Sequence, residues 1–244
     1  MLPQIWIFDT YSIMILLGII LCFTLLYLYG KKQKLQEKYI FDIMLCGCVA
    51  ILIGLGSAAA FQIVFDMLKD TETVRVGAMT FYGGLIGGVV SFIFIYQYWL
   101  KKFYPNNHLS ELLPIAPPCI TIAHGFGRIG CFLAGCCYGK ETDSILGVTF
   151  PGMTHCVYPT QLFEALFLLL LTIPLFILAY KKSFKHNMSI YLFSYGIFRF
   201  CLEFLRGDNR GVMFLFSPSQ WISLIAIIAS IILFIRLRTK PCKE

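Results

Sequence analysis

The chain has 244 residues, 58% of them hydrophobic and only 14% charged, with a formal net charge of +7 and a mean hydropathy of +0.77. Soluble domains carry about 25% charged residues, so this chain has too few polar side chains to cover a water-facing surface. With 23 Phe, 13 Tyr and no Gly or Pro repeat, it is neither disordered nor collagen-like, and its composition is that of an integral membrane protein.

Seven apolar segments follow one another, at 11–29, 41–64, 82–100, 112–133, 160–180, 188–205 and 219–236. Each is close to the roughly 20 residues that a bilayer crossing needs. The expected fold is all-α, a polytopic membrane helix bundle of seven transmembrane helices in a single domain over 1–244. The fourth segment is interrupted by Pro114, Pro117, Pro118 and several glycines. In lipid, such breaks survive only where other helices or a cavity satisfy the backbone.

Lys31, Lys32, Lys34 and Lys38 follow the first segment, Lys101 and Lys102 the third, and Lys181, Lys182 and Lys185 the fifth. Arg236, Arg238, Lys240 and Lys243 follow the last. This alternation predicts an N-terminus outside and a C-terminus in the cytoplasm. It also assigns the basic excess to topology and not to nucleic acid. The first segment lacks a charged leading region and an AxA-like cleavage site, so it is expected to be retained.

Three of the other cations, Arg128, Arg199 and Arg206, sit in or at the ends of apolar helices. Burying a guanidinium there costs several kcal/mol unless it is paired or hydrated. In the run from His124 to Gly139, His124 and Arg128 share a helix face, beside glycines at 125, 127, 130, 135 and 139. A cation next to close-packed backbone suits a lipid phosphate; the alternative is a snorkelling arginine with glycines for helix packing.

Arg199, Glu203 and Arg206 form one stripe on the sixth helix, and Glu203 can pair with either arginine. A structural Arg199–Glu203 pair and a functional one are both open, and Arg206 is the favoured ligand. The runs Tyr158-Pro-Thr-Gln-Leu-Phe-Glu164 and Ser217-Pro-Ser-Gln220 carry helix-start signals for the fifth and seventh helices. Tyr11, Tyr82, Arg128, Gln161, Glu164 and Arg206 are all assigned by this topology to the outer half. Together they predict a headgroup-sized site open to the outer leaflet.

Among the ten cysteines there is no CxxC. For Cys131, Cys136, Cys137 and Cys156 three readings are open. They are a metal site with His124 or His155, a disulfide from Cys136 or Cys137 to Cys156, and packing thiols. The C-x4-C-C spacing fits no common zinc pattern, so no metal enters the expected site.

With these residues in view, the chain resembles the prolipoprotein diacylglyceryl transferases over nearly its whole length. The resemblance is carried by Tyr11, F-Y-G-G-L-I-G-G at 81–88, G-R-I-G at 127–130, Y-P-T-Q-L-F-E at 158–164, R-x-x-x-E-F-x-R at 199–206 and S-Q-W at 219–221. It implies a multi-pass enzyme of the bacterial plasma (inner) membrane that needs no soluble cofactor. That family moves the diacylglyceryl group of phosphatidylglycerol onto the lipobox cysteine thiol of an exported prolipoprotein, releasing glycerol 1-phosphate.

The residues expected in the reaction are Arg128 and Arg206, which the resemblance matches, with Tyr82 and His124. Those it puts against substrate are Arg128, Arg206, Tyr11, Gly139, Gln161 and Glu164. The family usually has histidine where this chain has Tyr82 and Tyr158, and asparagine and glutamate where it has Cys131 and Cys136. The general base is therefore open among Cys136, His124 and Glu164. Competing readings are a lipid-binding or lipid-transporting paralogue, a transferase with another acceptor, and a membrane thiol oxidoreductase using Cys136 and Cys137.

Overall fold

A computed structural model describes residues 4–5, 8–68, 81–107, 109–207 and 215–239, excepting the side chains at 4, 5, 8, 65, 66, 68, 81, 82 and 239. Seven long helices account for most of them: α1 (Thr10–Lys32), α2 (Glu37–Leu68), α3 (Phe81–Ile95), α4 (Ala116–Leu133), α5 (Thr160–Lys182), α6 (Asn187–Leu202) and α7 (Pro218–Thr239). A π turn at Tyr96–Leu100 and a last turn at Lys101–Phe103 prolong α3, and a 3-10 turn at Glu203–Leu205 prolongs α6. A two-residue antiparallel pair, Gln4–Ile5 with Phe8–Asp9, precedes α1.

Every helix coincides with an expected segment; α1, α2, α5 and α7 run beyond it by up to four residues, whereas α4 starts only at Ala116. The apolar window marks only what lipid demands, whereas helical hydrogen bonding continues into the polar flanks until a cap stops it. Lys34, at φ +57°, ends the path out of α1, and Ser183, at φ +45°, caps α5. There the Ser183 N–H donates to Ala179 O at 2.9 Å, satisfying a carbonyl that the helix end exposes.

Six of the seven, all but α4, are long and apolar enough to cross a membrane. Leu16, Leu52, Leu170 and Ile225 on four of them are more than half exposed, as suits faces that meet lipid. The chain is thus a multi-pass helical membrane protein. Helix α4 differs because it carries His124, Arg128 and the glycine run, and its residues Pro117, Pro118, Cys119, Thr121, Gly125 and Gly130 are buried. Pro117 and Pro118 stand in its first turn, where a missing N–H is no loss.

The chain divides into two compact units, one of residues 30–109 and one of residues 1–29 with 110–244. In the first, α2 packs on α3 through small residues. Ser57 Oγ donates to Gly83 O at 2.8 Å, and a Cβ on Gly54 would meet Gly84 O at 2.9 Å. Such small-residue faces let two backbones approach where no hydrophobic effect drives helices together.

In the second unit, α4 packs on α5, α5 on α6, and α6 on α7. Gly18 of α1 lies against Phe126 of α4. Asn187 is fully buried and donates from Nδ2 to Pro114 O and Leu175 O, both at 2.8 Å. That side chain satisfies the irregular backbone before α4, which is what a proline break in lipid requires.

Candidate functional site

The polar residues of the second unit collect where α4 ends, α5 begins, α6 ends and α7 begins. Their centre is Glu164, one turn into α5 and wholly inaccessible. Arg128 Nε lies 3.0 Å from Glu164 Oε2, and Tyr195 Oη donates to Glu164 Oε1 at 2.8 Å. His124 Nε2 accepts from Arg128 Nε at 3.3 Å and lies 3.6 Å from Glu164 Oε1. The four-residue spacing of His124 and Arg128 aims both from one face of α4 at the same carboxylate. A carboxylate buried this deeply persists only with a cation and hydrogen-bond donors around it.

A second layer joins the start of α5 to the loop after α4. Gln161, 1% exposed, donates from Nε2 to Cys136 O at 2.6 Å, and Thr160 Oγ1 donates to Cys137 O at 3.1 Å. The other amide atom of Gln161, Oε1, is buried with no hydrogen-bond partner among the described residues. The loop turns sharply here, with φ +70° at Gly135 and +65° at Cys137. The latter is a conformation that a non-glycine residue adopts only at a cost.

From there the chain is stitched into short antiparallel contacts. Gly139 pairs with Arg206, and Val157 with Glu141 and Val148. The Gly139 N–H donates to Tyr158 O at 2.8 Å, and the Lys140 N–H to Leu205 O at 2.8 Å. Gly139 is needed for this approach: a Cβ there would stand 2.5 Å from Leu205 O, 2.8 Å from Thr160 Cγ2 and 2.9 Å from Tyr158 Cβ. The bridge fixes Arg206, itself 5% exposed, at the same end as Arg128.

Glu203 takes Arg199 as its partner, at 2.9 Å, and accepts from Ser217 Oγ at 2.9 Å. Ser217 and Gln220 cap α7 reciprocally, Ser217 N donating to Gln220 Oε1 at 3.0 Å and Gln220 N to Ser217 Oγ at 3.3 Å. The Arg199–Glu203 pair therefore joins α6 to the start of α7, the structural option of the two open in the sequence.

The sulfurs of Cys131, Cys136 and Cys137 all lie within 4.8 Å of one another. Hydrogen bonds from the Cys131 and Cys136 thiols hold the Cys137 thiol well below the usual thiol range; burial opposes them, and the charges of Arg206 and Arg128 assist. A cavity of about 650 Å³ opens beside the loop, lined by Cys136, Cys137, Gly139, Lys140, His155 and Gly207 among others. Cys156 is a free thiol, 3.1 Å from Thr149 Oγ1, so the disulfide to Cys156 is not formed.

Of the residues expected from the sequence, Arg128, His124 and Glu164 form one cluster, and Gln161, Gly139 and Arg206 join it through the loop. Tyr11 stands in the first turn of α1, which Asp9 caps by accepting from Tyr11 N and Ser12 Oγ, both at 3.3 Å. A Cβ on Gly130 would lie 3.0 Å from the Tyr11 ring, so Tyr11 packs on the glycine run of α4. Tyr82 opens α3 in the other unit, and its side chain lies outside the described residues. Sequence reasoning missed Tyr195 and Thr160. The spacing Tyr191, Tyr195, Arg199, four residues at each step, is the signal that Tyr195 shares a face with a buried charge.

Apolar spans around a buried carboxylate paired with an arginine, with the buried Arg206 beside the same loop, define a multi-pass membrane protein with a polar centre at one end of its helices. The family model described as prolipoprotein diacylglyceryl transferase matches residues 3–236, and the chain belongs to that family. It is 36% identical over 238 residues to the phosphatidylglycerol–prolipoprotein diacylglyceryl transferase of Clostridium tetani, covering 92% of this chain and 91% of that one. It is 34% identical over 250 residues to phosphatidylglycerol–prolipoprotein diacylglyceryl transferase 2 of Clostridium perfringens, covering 96% and 93%. Over 243 residues it is 30% identical to the phosphatidylglycerol–prolipoprotein diacylglyceryl transferase of Finegoldia magna, covering 96% and 93%.

Proposed function

We propose that this protein transfers the diacylglyceryl group of phosphatidylglycerol to the lipobox cysteine thiol of prolipoproteins, at the outer leaflet of the bacterial inner membrane. The whole chain, 1–244, serves as one transferase domain. All seven helices cross the bilayer, with the N-terminus outside and the C-terminus in the cytoplasm, the orientation favoured by Lys and Arg in alternate loops. The site end of α4, α5, α6 and α7 then faces the outer leaflet.

The observation that carries the reading is that two arginines stand at the same end of the helices: Arg128, held 3.0 Å from the buried Glu164, and Arg206, 5% exposed and bridged to Gly139. Phosphatidylglycerol presents an anionic phosphodiester, and the group that departs is a phosphate monoester. Arg128 and Arg206 hold that phosphate and stabilise the charge that grows as the glyceryl C–O bond breaks. Glu164, His124 and Tyr195 keep Arg128 aimed. Gln161 Oε1, an acceptor without a partner among the described residues, takes a hydroxyl of the glycerol headgroup. Tyr11 and Gly139 bound the same space. Tyr82, at the position where the family usually has histidine, is a further participant in the reaction.

The direct test is labelled phosphatidylglycerol with a lipobox peptide and the purified protein in lipid. A thioether-linked diacylglyceryl peptide is expected, together with glycerol 1-phosphate. Lipid binding without that product would replace the transferase reading with a binding or transport one. Growth of cells depleted of their own diacylglyceryl transferase tests the acceptor class at the same time.

A further inference from the structure

We propose that Cys131, Cys136 and Cys137 bind one Zn2+ ion and leave its fourth position open to the adjoining cavity, where the acceptor thiol of the incoming protein is held as a thiolate. The second half of this rests on the transferase reading above; the cation site does not.

The geometry is that of a nearly assembled ligand set. Zinc–sulfur bonds of about 2.3 Å in a tetrahedron place sulfurs roughly 3.8 Å apart, and these three lie within 4.8 Å of one another. Closing on a cation requires a contraction of about 1 Å or less, within what side-chain rotation supplies. The spacing in sequence gives no zinc pattern, but the fold supplies what spacing lacks. Cys131 stands on the last turn of α4, and the left-handed residues Gly135 and Cys137 turn the loop back over it. The Cys136 N–H donates to Cys131 O at 3.1 Å. Gln161 and Thr160 pin the carbonyls of Cys136 and Cys137 from the first turn of α5, so the two thiols are directed by an outside framework.

Electrostatics agree with the set. Three thiolates on Zn2+ carry a net charge of −1, and the backbone of Arg206 is bridged to Gly139, two residues past Cys137. Three protein ligands and one open position describe a reactive zinc site; structural sites are closed by four. The open side faces the cavity, since Cys136 and Cys137 line it.

A zinc ion here would supply what the family's usual base supplies elsewhere. The acceptor S–H gives its proton to water as the sulfur replaces a water on the metal, because a coordinated thiol is deprotonated outright. A sulfur lone pair then forms the S–C bond to the glyceryl carbon while the C–O bond breaks. That bonding pair leaves on the phosphate oxygen of glycerol 1-phosphate, between the arginines. The thioether product is neutral and a weak ligand, so water displaces it.

The test uses the full chain purified in detergent, without chelators and under reducing conditions. Metal is counted by elemental mass spectrometry, and Co2+ exchange is followed by its thiolate charge-transfer absorption. About one zinc per chain is expected, and Cys131→Ala, Cys136→Ala and Cys137→Ala should each lower it at least tenfold. Cys136→His, which keeps a zinc ligand, should hold the metal and the cobalt band, showing that loss in the alanine variants is not misfolding. Cys201→Ser, an exposed thiol on α6, should change nothing. Zinc removal should lower transfer to the lipobox peptide roughly tenfold or more, and Zn2+ should restore it. A zinc-free chain with full transfer, or a disulfide within the trio, overturns the site and leaves the transferase standing. Bound zinc without transfer keeps the cation site and overturns the acceptor role together with the transferase reading.

Discussion

Arg128 Nε lies 3.0 Å from Glu164 Oε2 on a neighbouring helix, and that carboxylate has no exposed surface. A buried pair of this kind contributes little net stability, because desolvating both charges offsets most of their attraction. Its importance is directional. Removing one partner strands the other, and keeping both fixes where the rest of the guanidinium points. Tyr195 and His124 complete the hold on the carboxylate and on Nε, so the far end of Arg128 is free of that task.

Arg128→Ala should therefore destabilise the protein by about 3–5 kcal/mol, the cost of an uncompensated buried carboxylate. Adding Glu164→Gln should recover most of that loss, because the stranded charge is gone. Transfer should not return with the stability. Thermal unfolding of the single and double variants, beside the lipid-transfer assay, separates the two effects. Recovery of turnover in the double variant would remove Arg128 from the chemistry.

Arg206→Lys should keep the fold and lose most turnover, by at least roughly tenfold. A lysine ammonium carries the charge but not the two-pronged contact with a phosphate. The backbone bridge between Gly139 and Arg206 does not depend on the side chain, so the unfolding temperature is expected to stay near that of the parent. Unchanged transfer by Arg206→Lys would exclude a phosphate role.

Gly139→Ala tests the bridge itself. The added Cβ would stand 2.5 Å from Leu205 O, with Thr160 and Tyr158 close on other sides. Overpacking of this kind costs about 1–3 kcal/mol, and the strand carrying Arg206 is the element able to yield. The expected result is a modest fall in stability and a larger fall in transfer. The reverse order would mean that the bridge is structural only.

Lys140 is exposed at the end of the molecule that carries the site. The proposed orientation predicts that a membrane-impermeant amine reagent added to intact cells modifies it. Labelling only after the cells are opened would place the site on the cytoplasmic face and invert the topology.

The helices were legible because lipid imposes a local rule. A run of about 20 apolar residues declares itself without reference to any other part of the chain. The resulting segments match α1 to α7 apart from their ends, which caps decide. His124 and Arg128 were legible as a pair for the same reason, since a four-residue spacing on a helix is fixed geometry. The family followed from the order of its motifs.

What tertiary structure alone decided was the pairing of polar groups. Glu203 had two arginines in reach by spacing, and packing of α6 against α7 gave it Arg199 and Ser217 as partners, while Arg199 also donates to Ser219 Oγ. Tyr195 found Glu164 across 31 residues, and Gln161 reached Cys136 across 25. The thiol trio exists only because the loop after α4 doubles back, held by side chains from the start of α5. Apolarity is a property that each segment possesses alone, whereas a hydrogen bond or an ion pair exists only once two distant stretches have been brought within about 3 Å.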